Sequence, residues 1–183
     1  MSGSDLDNYH QFLQELRSTS FGQSSIISAA VPLKPWRDAS GNPSTNLSNF
    51  ASQLDFIVIL AYDIWTPLNA TVGPGAPLYD SCAPSGDQGG SVNSSVNAWM
   101  AAGFSADKIV VGTPAYGYLY NVPSSSALST DGTLVQYPAI DKSKPSPPGD
   151  PWTATAGPDA CGNQAPAAGE SACPEATSTK LTR

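Results

Sequence analysis

The sequence predicts an α/β protein in which short parallel strands alternate with helices. Two observations support this prediction. Apolar residues recur at helical spacing in successive segments, and each segment is followed by a short run of apolar or β-branched residues without polar alternation. Runs of that kind are typical of parallel strands, which lie between helical layers and are joined by long crossovers. The repeated order of helix and strand therefore predicts a parallel sheet with right-handed connections.

The first helix–strand pair covers residues 5–32. Apolar side chains predict a helix over residues 5–17 with a single apolar face, made of Leu6, Tyr9, Phe12, Leu13 and Leu16. Residues 25–32 then form a run of small and β-branched residues that ends at Pro32. This run predicts a strand that is buried on both faces.

Two further pairs follow along the chain. Residues 47–54 predict a short helix, and residues 56–61, the most hydrophobic run of the sequence, predict a central strand. Residues 92–100 predict a helix that ends near Gly103, with Trp99 in the core. Residues 108–114 predict a third buried strand. Beyond residue 120, Pro, Ser, Ala and Gly dominate without a helical stripe, which predicts loop, extension or disorder.

Composition and charge limit the classes of partner. Only 13% of the 183 residues are charged, and 16 Gly and 17 Pro are typical of a loop-rich extracellular protein. The net charge of −7 argues against a nucleic-acid partner. No run of 18 apolar residues indicates a membrane span. We therefore expect no nucleic acid and no membrane among the partners, and we expect a monomer.

The cysteines and the glycosylation motifs also favour secretion. Cys82, Cys161 and Cys173 are odd in number and lack close metal-binding spacing, so one is unpaired or its partner lies elsewhere. A structural bridge between Cys82 and Cys161 is one alternative. Acceptor motifs begin at three asparagines, Asn46, Asn69 and Asn93. Because no leader opens the chain, we expect the secreted parent protein to begin upstream of Met1.

Candidate site residues follow the second and third predicted strands. Tyr62, Asp63 and Trp65 come directly after one strand, and Tyr116 follows the other. In α/β barrels, the carboxyl ends of the strands face a shared active-site mouth. A carboxylate among aromatic rings at such a rim is suited to a sugar, whose hydroxyls bind the carboxylate while its C–H faces lie on the rings. No phosphate loop, nucleophile triad or metal cluster is apparent, so no metal or cofactor is expected.

Structural roles are the alternatives for these residues. Tyr62 and Asp63 could simply end a strand, with Asp63 capping the next turn, and Tyr116 could only pack between Pro114 and Gly117. Trp65 is equally consistent with a sugar contact and with core packing. His10, the single histidine, lies on a predicted helix and is not expected to be catalytic.

Four segments in register resemble family-18 glycoside hydrolases, the chitinase family. Residues 54–63, ending Leu60-Ala61-Tyr62-Asp63, resemble the sixth barrel strand of that family with its Met-x-Tyr-Asp ending. Residues 108–117 resemble the seventh strand with its G-x-P-x-Y-G ending, residues 72–79 the loop that crosses the cleft, and residues 25–32 the fifth strand. The resemblance implies a partial (β/α)8 TIM barrel of about strands five to seven over residues 1–120. Residues 121–170 would be part of the loop-rich insertion after strand seven, and residues 171–183 an unstructured tail.

The resemblance also implies a substrate and roles for individual residues. These enzymes cleave β-1,4-linked N-acetylglucosamine polymers with retention, using the acetamido oxygen of the substrate as nucleophile. By resemblance, Tyr62 donates a hydrogen bond to that acetamide, Asp63 binds sugar hydroxyls in the neighbouring subsite, and Tyr116 lines the cleft. Leu60 would lie beneath the acetyl group, where the family usually has methionine, and Trp65 would contact sugar. Chitin or a chitooligosaccharide is the implied partner.

The chain also departs from the family pattern. The Asp-x-x-Asp-x-Asp-x-Glu run, which ends in the general acid of the family, is absent from the 183 residues. Leu68 stands where a ring is expected, Tyr118 stands at a position often filled by arginine, and no eighth strand is recognisable. Three hypotheses follow: a fragment of a chitin hydrolase that is inactive alone, a non-catalytic chitin-binding lectin, or an inactive truncated product.

Overall fold

The computed structural model describes residues 3–81, 83, 90–118, 120–127, 130, 135 and 137–143. The chain divides into two compact units. Unit 1 comprises Met1–Ala61 and Asn93–Gly112, and unit 2 comprises Tyr62–Val92 and Thr113–Arg183. The predicted boundaries after residues 120 and 170 refer to parts of a family fold and stay predictions. All three cysteines and the predicted tail lie outside the described residues.

The three predicted helix–strand pairs occur in the predicted order, whereas two short helices, over Ser20–Ser24 and Ser124–Ala127, were not predicted. Unit 1 contains a three-stranded parallel sheet with the strand order β1-β2-β3, which confirms the predicted α/β class and parallel pairing. The α-helices are α1 (Gly3–Ser18), α2 (Ser20–Ser24), α3 (Ser48–Ala51), α4 (Val92–Ala101) and α5 (Ser124–Ala127). The strands are β1 (Ser28–Val31), β2 (Phe56–Leu60) and β3 (Ile109–Gly112), the last preceded by a 3-10 turn over Ala106–Lys108.

The sheet is buried mainly on one face. Ala29 and Val31 of β1 pair with Ile57 and Ile59 of β2, and all four side chains are buried. Ser28 and Ala30, which point to the other face, are exposed. The prediction that this first strand is buried on both faces is therefore wrong, because the described residues cover the sheet with a core on one side only.

Trp99 lies at the centre of the unit 1 core, as predicted. Its side chain is 0% exposed, and its indole N–H donates to the carbonyl of Pro32 at 3.0 Å. The ring is perpendicular to that of Trp36, with 5.2 Å between the centroids. Such edge-to-face pairs are favourable beyond the area that they bury. The Trp99 side chain thus holds the segment after β1 against α4.

Gly103 ends α4 in the way that the sequence predicts. Its φ of +109° lies in the left-handed region, and its N–H donates to the carbonyl of Met100. The N–H of Phe104 donates to the carbonyl of Trp99. This pair of bonds is a Schellman motif, for which glycine is the preferred residue.

The predicted apolar face of α1 is only partly buried. Leu13 is 2% exposed, whereas Phe12 is 55% exposed. Adjacent helix residues differ by about 100° in direction, so both could not face one core. His10 lies against the ring of Phe50, with 5.1 Å between the centroids, in a packing position.

Arg17 connects the end of α1 with the segments before β1 and β2. Its guanidinium donates to the carbonyls of Gly22, Ser25 and Gln53. It also forms an ion pair with Asp55 at 2.8 Å. Asp55 in turn accepts from the backbone N–H of Ile27. These hydrogen bonds fix the start of both neighbouring strands.

The Asp55 ion pair predicts a pH dependence of stability. The hydrogen bond from Arg17, followed by that from the Ile27 N–H, lowers the pKa of Asp55. A lowered folded-state pKa stabilises the fold above the unfolded value and loses this contribution as the pH falls through the folded value. We expect wild type to lose about 1 kcal/mol or less from this pair as the pH falls below about 4, since the pair is partly exposed.

Urea unfolding at neutral and acidic pH tests this prediction. Asp55→Asn should flatten the pH dependence of the unfolding free energy, whereas Asp7→Asn, on the exposed side of α1, should leave it unchanged. An identical pH dependence in wild type and Asp55→Asn would contradict it.

Candidate functional site

The candidate site lies in unit 2, in the segments that follow β2 and β3 along the chain. Tyr62 and Asp63 come from the first segment, and Tyr116 and Tyr118 come from the second. Asp63 has a φ of 57°, in the left-handed region that aspartate tolerates better than most residues. This conformation turns the chain directly after the strand and leaves the Asp63 side chain exposed.

Two tyrosines bind the same oxygen of Asp63. The hydroxyls of Tyr116 and Tyr118 both donate to Oδ1, each at 2.7 Å. Oδ2 accepts no hydrogen bond from the part of the chain that the structure describes. Among the described residues, the carboxylate is thus held at one oxygen by two protein donors.

The carboxylate further stabilises the neutral form of both phenols. The hydrogen bond to Asp63 is the main cause that raises the pKa of Tyr116 and of Tyr118 above the usual tyrosine value. Ionising either phenol would place a second negative charge beside the carboxylate. Both side chains therefore remain hydrogen-bond donors across the physiological pH range.

The aromatic rings form a continuous row. Tyr62 packs edge-to-face on Tyr116, with 6.2 Å between the centroids, and Tyr116 packs edge-to-face on Tyr118 at 5.9 Å. Tyr120 follows at 6.4 Å, and its hydroxyl donates to the carbonyl of Trp65 at 3.2 Å. Burial is the main cause that raises the pKa of Tyr120.

Tyr118 and Tyr120 are not among the predicted site residues. The signal for them was the alternation of tyrosine at residues 116, 118 and 120, since side chains two apart in an extended segment point the same way. The structure does bring together the predicted residues Tyr62, Asp63 and Tyr116.

Trp65 has a packing environment. It is 3% exposed and clusters with Ala83 and Tyr137, whose ring lies 5.0 Å from the indole. Gly73 approaches the ring so closely that a Cβ there would be 2.2 Å from Cδ2. This burial favours the packing alternative for Trp65, and its predicted sugar contact stays a prediction.

Leu60 is the last residue of β2 in unit 1. It pairs with Gly112 of β3 and is 38% exposed. A partly exposed apolar side chain at a strand end is compatible with the predicted contact to an acetyl group, which stays a prediction.

The described site offers binding groups rather than metal ligands. No group of three or more His, Cys, Asp or Glu side chains that could hold a metal occurs within the described residues. Nor does any helix in those residues have the length and apolarity needed to cross a bilayer. One exposed carboxylate beside a row of phenol rings is suited to hold a polar ligand with apolar faces.

Known proteins are similar to this chain in both sequence and fold. A "chitinase-like effector" from Moniliophthora roreri is 46% identical over 167 residues, which are 90% of this chain and 40% of that protein. A crystal structure of a chitinase from Rhizomucor miehei has a TM-score of 0.69 and 32% identity, and the match covers 89% of this chain and 43% of that one. A class V chitinase from Nicotiana tobaccum in complex with NAG4 has a TM-score of 0.59 and 26% identity, covering 78% and 40%.

The chain thus spans about 40% of the length of these relatives. The model of the family described as glycosyl hydrolases family 18 matches residues 1–177, almost the whole sequence. The chain therefore belongs to family 18 of the glycosyl hydrolases.

Proposed function

We propose that this chain binds β-1,4-linked N-acetylglucosamine oligomers through the Asp63 cluster, defined as Tyr62, Asp63, Tyr116 and Tyr118. The observation that carries the proposal is the pair of 2.7 Å bonds that fix Oδ1 of Asp63. A carboxylate held in this way is preorganised, so a ligand need not order it on binding. The NAG4 complex of the Nicotiana chitinase supports an oligomer of N-acetylglucosamine as the ligand class.

In this proposal, the cluster positions the substrate for a retaining, substrate-assisted reaction. Tyr62 would hold the acetamide oxygen against the anomeric carbon of the same sugar, which favours the reactive conformer for the intramolecular attack. Asp63 would hold hydroxyls of the adjacent sugar. Proton donation to the leaving oxygen requires an acid, and the acidic run that supplies it in the family is not in the 183 residues.

We also propose that unit 1 corresponds to about strands five to seven of a (β/α)8 barrel. The three parallel strands in chain order support this assignment. So does the apolar face that remains partly exposed, with Val110 at 47%. In a complete barrel, such a face would be covered by layers of side chains from the other strands.

A non-catalytic chitin-binding function is the second candidate. One observation favours it: the Moniliophthora roreri relative is named a chitinase-like effector rather than a chitinase. An extracellular location fits either candidate, since chitin is an extracellular polymer.

Calorimetric titration of the 183-residue chain with chitohexaose tests the binding proposal. Asp63→Ala removes a charged acceptor and frees two phenols, so we expect the dissociation constant to rise about 10- to 100-fold. Asp7→Ala, which removes an exposed carboxylate from α1, is the matched control and should stay within about twofold.

Measurement of released reducing ends tests whether the chain hydrolyses the oligomer that it binds. We expect binding without turnover by the chain alone. Hydrolysis at a rate near that of a complete chitinase would overturn the assignment of the chain to substrate positioning. Equal affinities of wild type and Asp63→Ala would overturn the site itself.

A further inference from the structure

The Asp63 carboxylate has no cationic partner within the described residues. The ion pair found there joins Arg17 to Asp55, in unit 1. Within the described part of unit 2, the cationic side chain is Lys142, whose Nζ donates to the carbonyl of Leu68 at 2.8 Å. Both donors to Asp63 are neutral phenols. Asp63 therefore forms no ion pair within the described residues.

The sequence segments of the site also lack basic residues. No lysine or arginine occurs at residues 38–107 or 109–141, which include both segments. Local potential of one sign raises the local concentration of oppositely charged ligands.

A carboxylate beside aromatic rings is the combination that binds ammonium groups. An N–H donor with a positive charge makes a hydrogen bond to a carboxylate that is roughly twice as strong as a neutral one. Ring faces attract cations through their quadrupole. The rings of Tyr116 and Tyr118 reach the carboxylate through their hydroxyls, and the ring of Tyr62 packs on that of Tyr116. Oδ2 of Asp63 accepts no hydrogen bond from the described residues.

We propose, resting on the function proposed above, that the Asp63 cluster accommodates a glucosamine unit with its ammonium on Oδ2 of Asp63, and so favours partially deacetylated chitooligosaccharides over fully acetylated ones. An acetylated unit offers only neutral hydroxyl and amide donors at this position. The deacetylated unit offers a cation to a carboxylate that the described residues leave unpaired. The glucosamine unit would lie in the subsite next to the one in which Tyr62 would hold an acetamide.

Titration of the 183-residue chain with two hexamers tests this proposal. One hexamer is fully acetylated and the other carries glucosamine units, both at a pH where the amines are protonated. We expect the second to bind at least about fivefold more tightly. Asp63→Asn keeps the size of the side chain and is tolerated at a positive φ, but it removes the charge and replaces one acceptor oxygen by an NH2 donor. It should bring the ratio of the two affinities close to one, and this ratio is the readout because the substitution weakens binding of both hexamers.

Controls distinguish binding at Asp63 from nonspecific electrostatic attraction of the cationic hexamer to the acidic chain. They also distinguish failure of this proposal from failure of the proposed function. Asp7→Asn changes the net charge equally and should keep the preference. Added salt should weaken binding of the amine-bearing hexamer more than that of the acetylated one. If wild type binds both hexamers with equal affinity, this inference is overturned and the proposed function is not. Failure of wild type to bind either hexamer would overturn the proposed function as well. A preference that survives in Asp63→Asn would assign the charge effect to another group.

Discussion

Replacement of Trp99 by alanine is expected to lower the free energy of unfolding of unit 1 by about 3–5 kcal/mol. The indole is fully buried, so the substitution leaves a cavity among Trp36 and Phe104, whose rings pack edge-to-face on it. It also removes the donor to the Pro32 carbonyl. Since small domains have a total stability of about 5–15 kcal/mol, this loss is a large share of the total.

Urea unfolding followed by far-UV circular dichroism measures this loss. Met100→Ala is a suitable control, because Met100 is the next residue of α4 and is 44% exposed. We expect it to cost about 1 kcal/mol or less. Similar losses for both substitutions would contradict the position of Trp99 at the centre of the core.

The second large effect is expected for Gly73→Ala in unit 2. A Cβ at residue 73 would lie 2.2 Å from Cδ2 and 2.5 Å from Cγ of the Trp65 ring. The ring has little room to move, because Tyr137 and Ala83 pack around it. We expect a loss of about 3 kcal/mol, as is typical of overpacked cores. Because Trp65 is two residues from Asp63, we also expect weaker binding of chitohexaose.

Gly75→Ala provides the matched control for this clash. A Cβ there would lie 3.7 Å from the Trp65 carbonyl oxygen and 3.8 Å from Cδ2 of Tyr118, which are ordinary contacts. This substitution should leave stability within about 1 kcal/mol of wild type. Thermal melts of the two variants, with hexamer titrations, test the difference. A Gly73→Ala variant as stable as Gly75→Ala would show that the indole does not occupy this position.

The order of the elements could be predicted because each apolar pattern is local. Residues 56–61 have no polar alternation, and the structure places β2 at the centre of the sheet. Which faces of β1 are buried could not be predicted in the same way. Its residues Ser28 and Ala30 are small enough for either a buried or an exposed face, and the surrounding elements decide which occurs.

The sequence also predicted part of the site. The strand-end rule identified Tyr62, Asp63 and Tyr116, which do lie together. Their roles toward a sugar stay predictions. The burial of Trp65 depends on Tyr137, which is distant in sequence, and on the close approach of Gly73. The role of Tyr118 depends on the path of the loop, which places its hydroxyl on the same oxygen as that of Tyr116.

The perpendicular indoles of Trp36 and Trp99 have an optical consequence. Two chromophores held 5.2 Å apart at an interplanar angle of 90° occupy a rigid, asymmetric surrounding. Aromatic side chains fixed in this way give a near-ultraviolet circular dichroism signal, which disappears when specific packing is lost even if helices persist. The pair thus provides unit 1 with an intrinsic signal that distinguishes a packed interior from a merely collapsed one, without any added label.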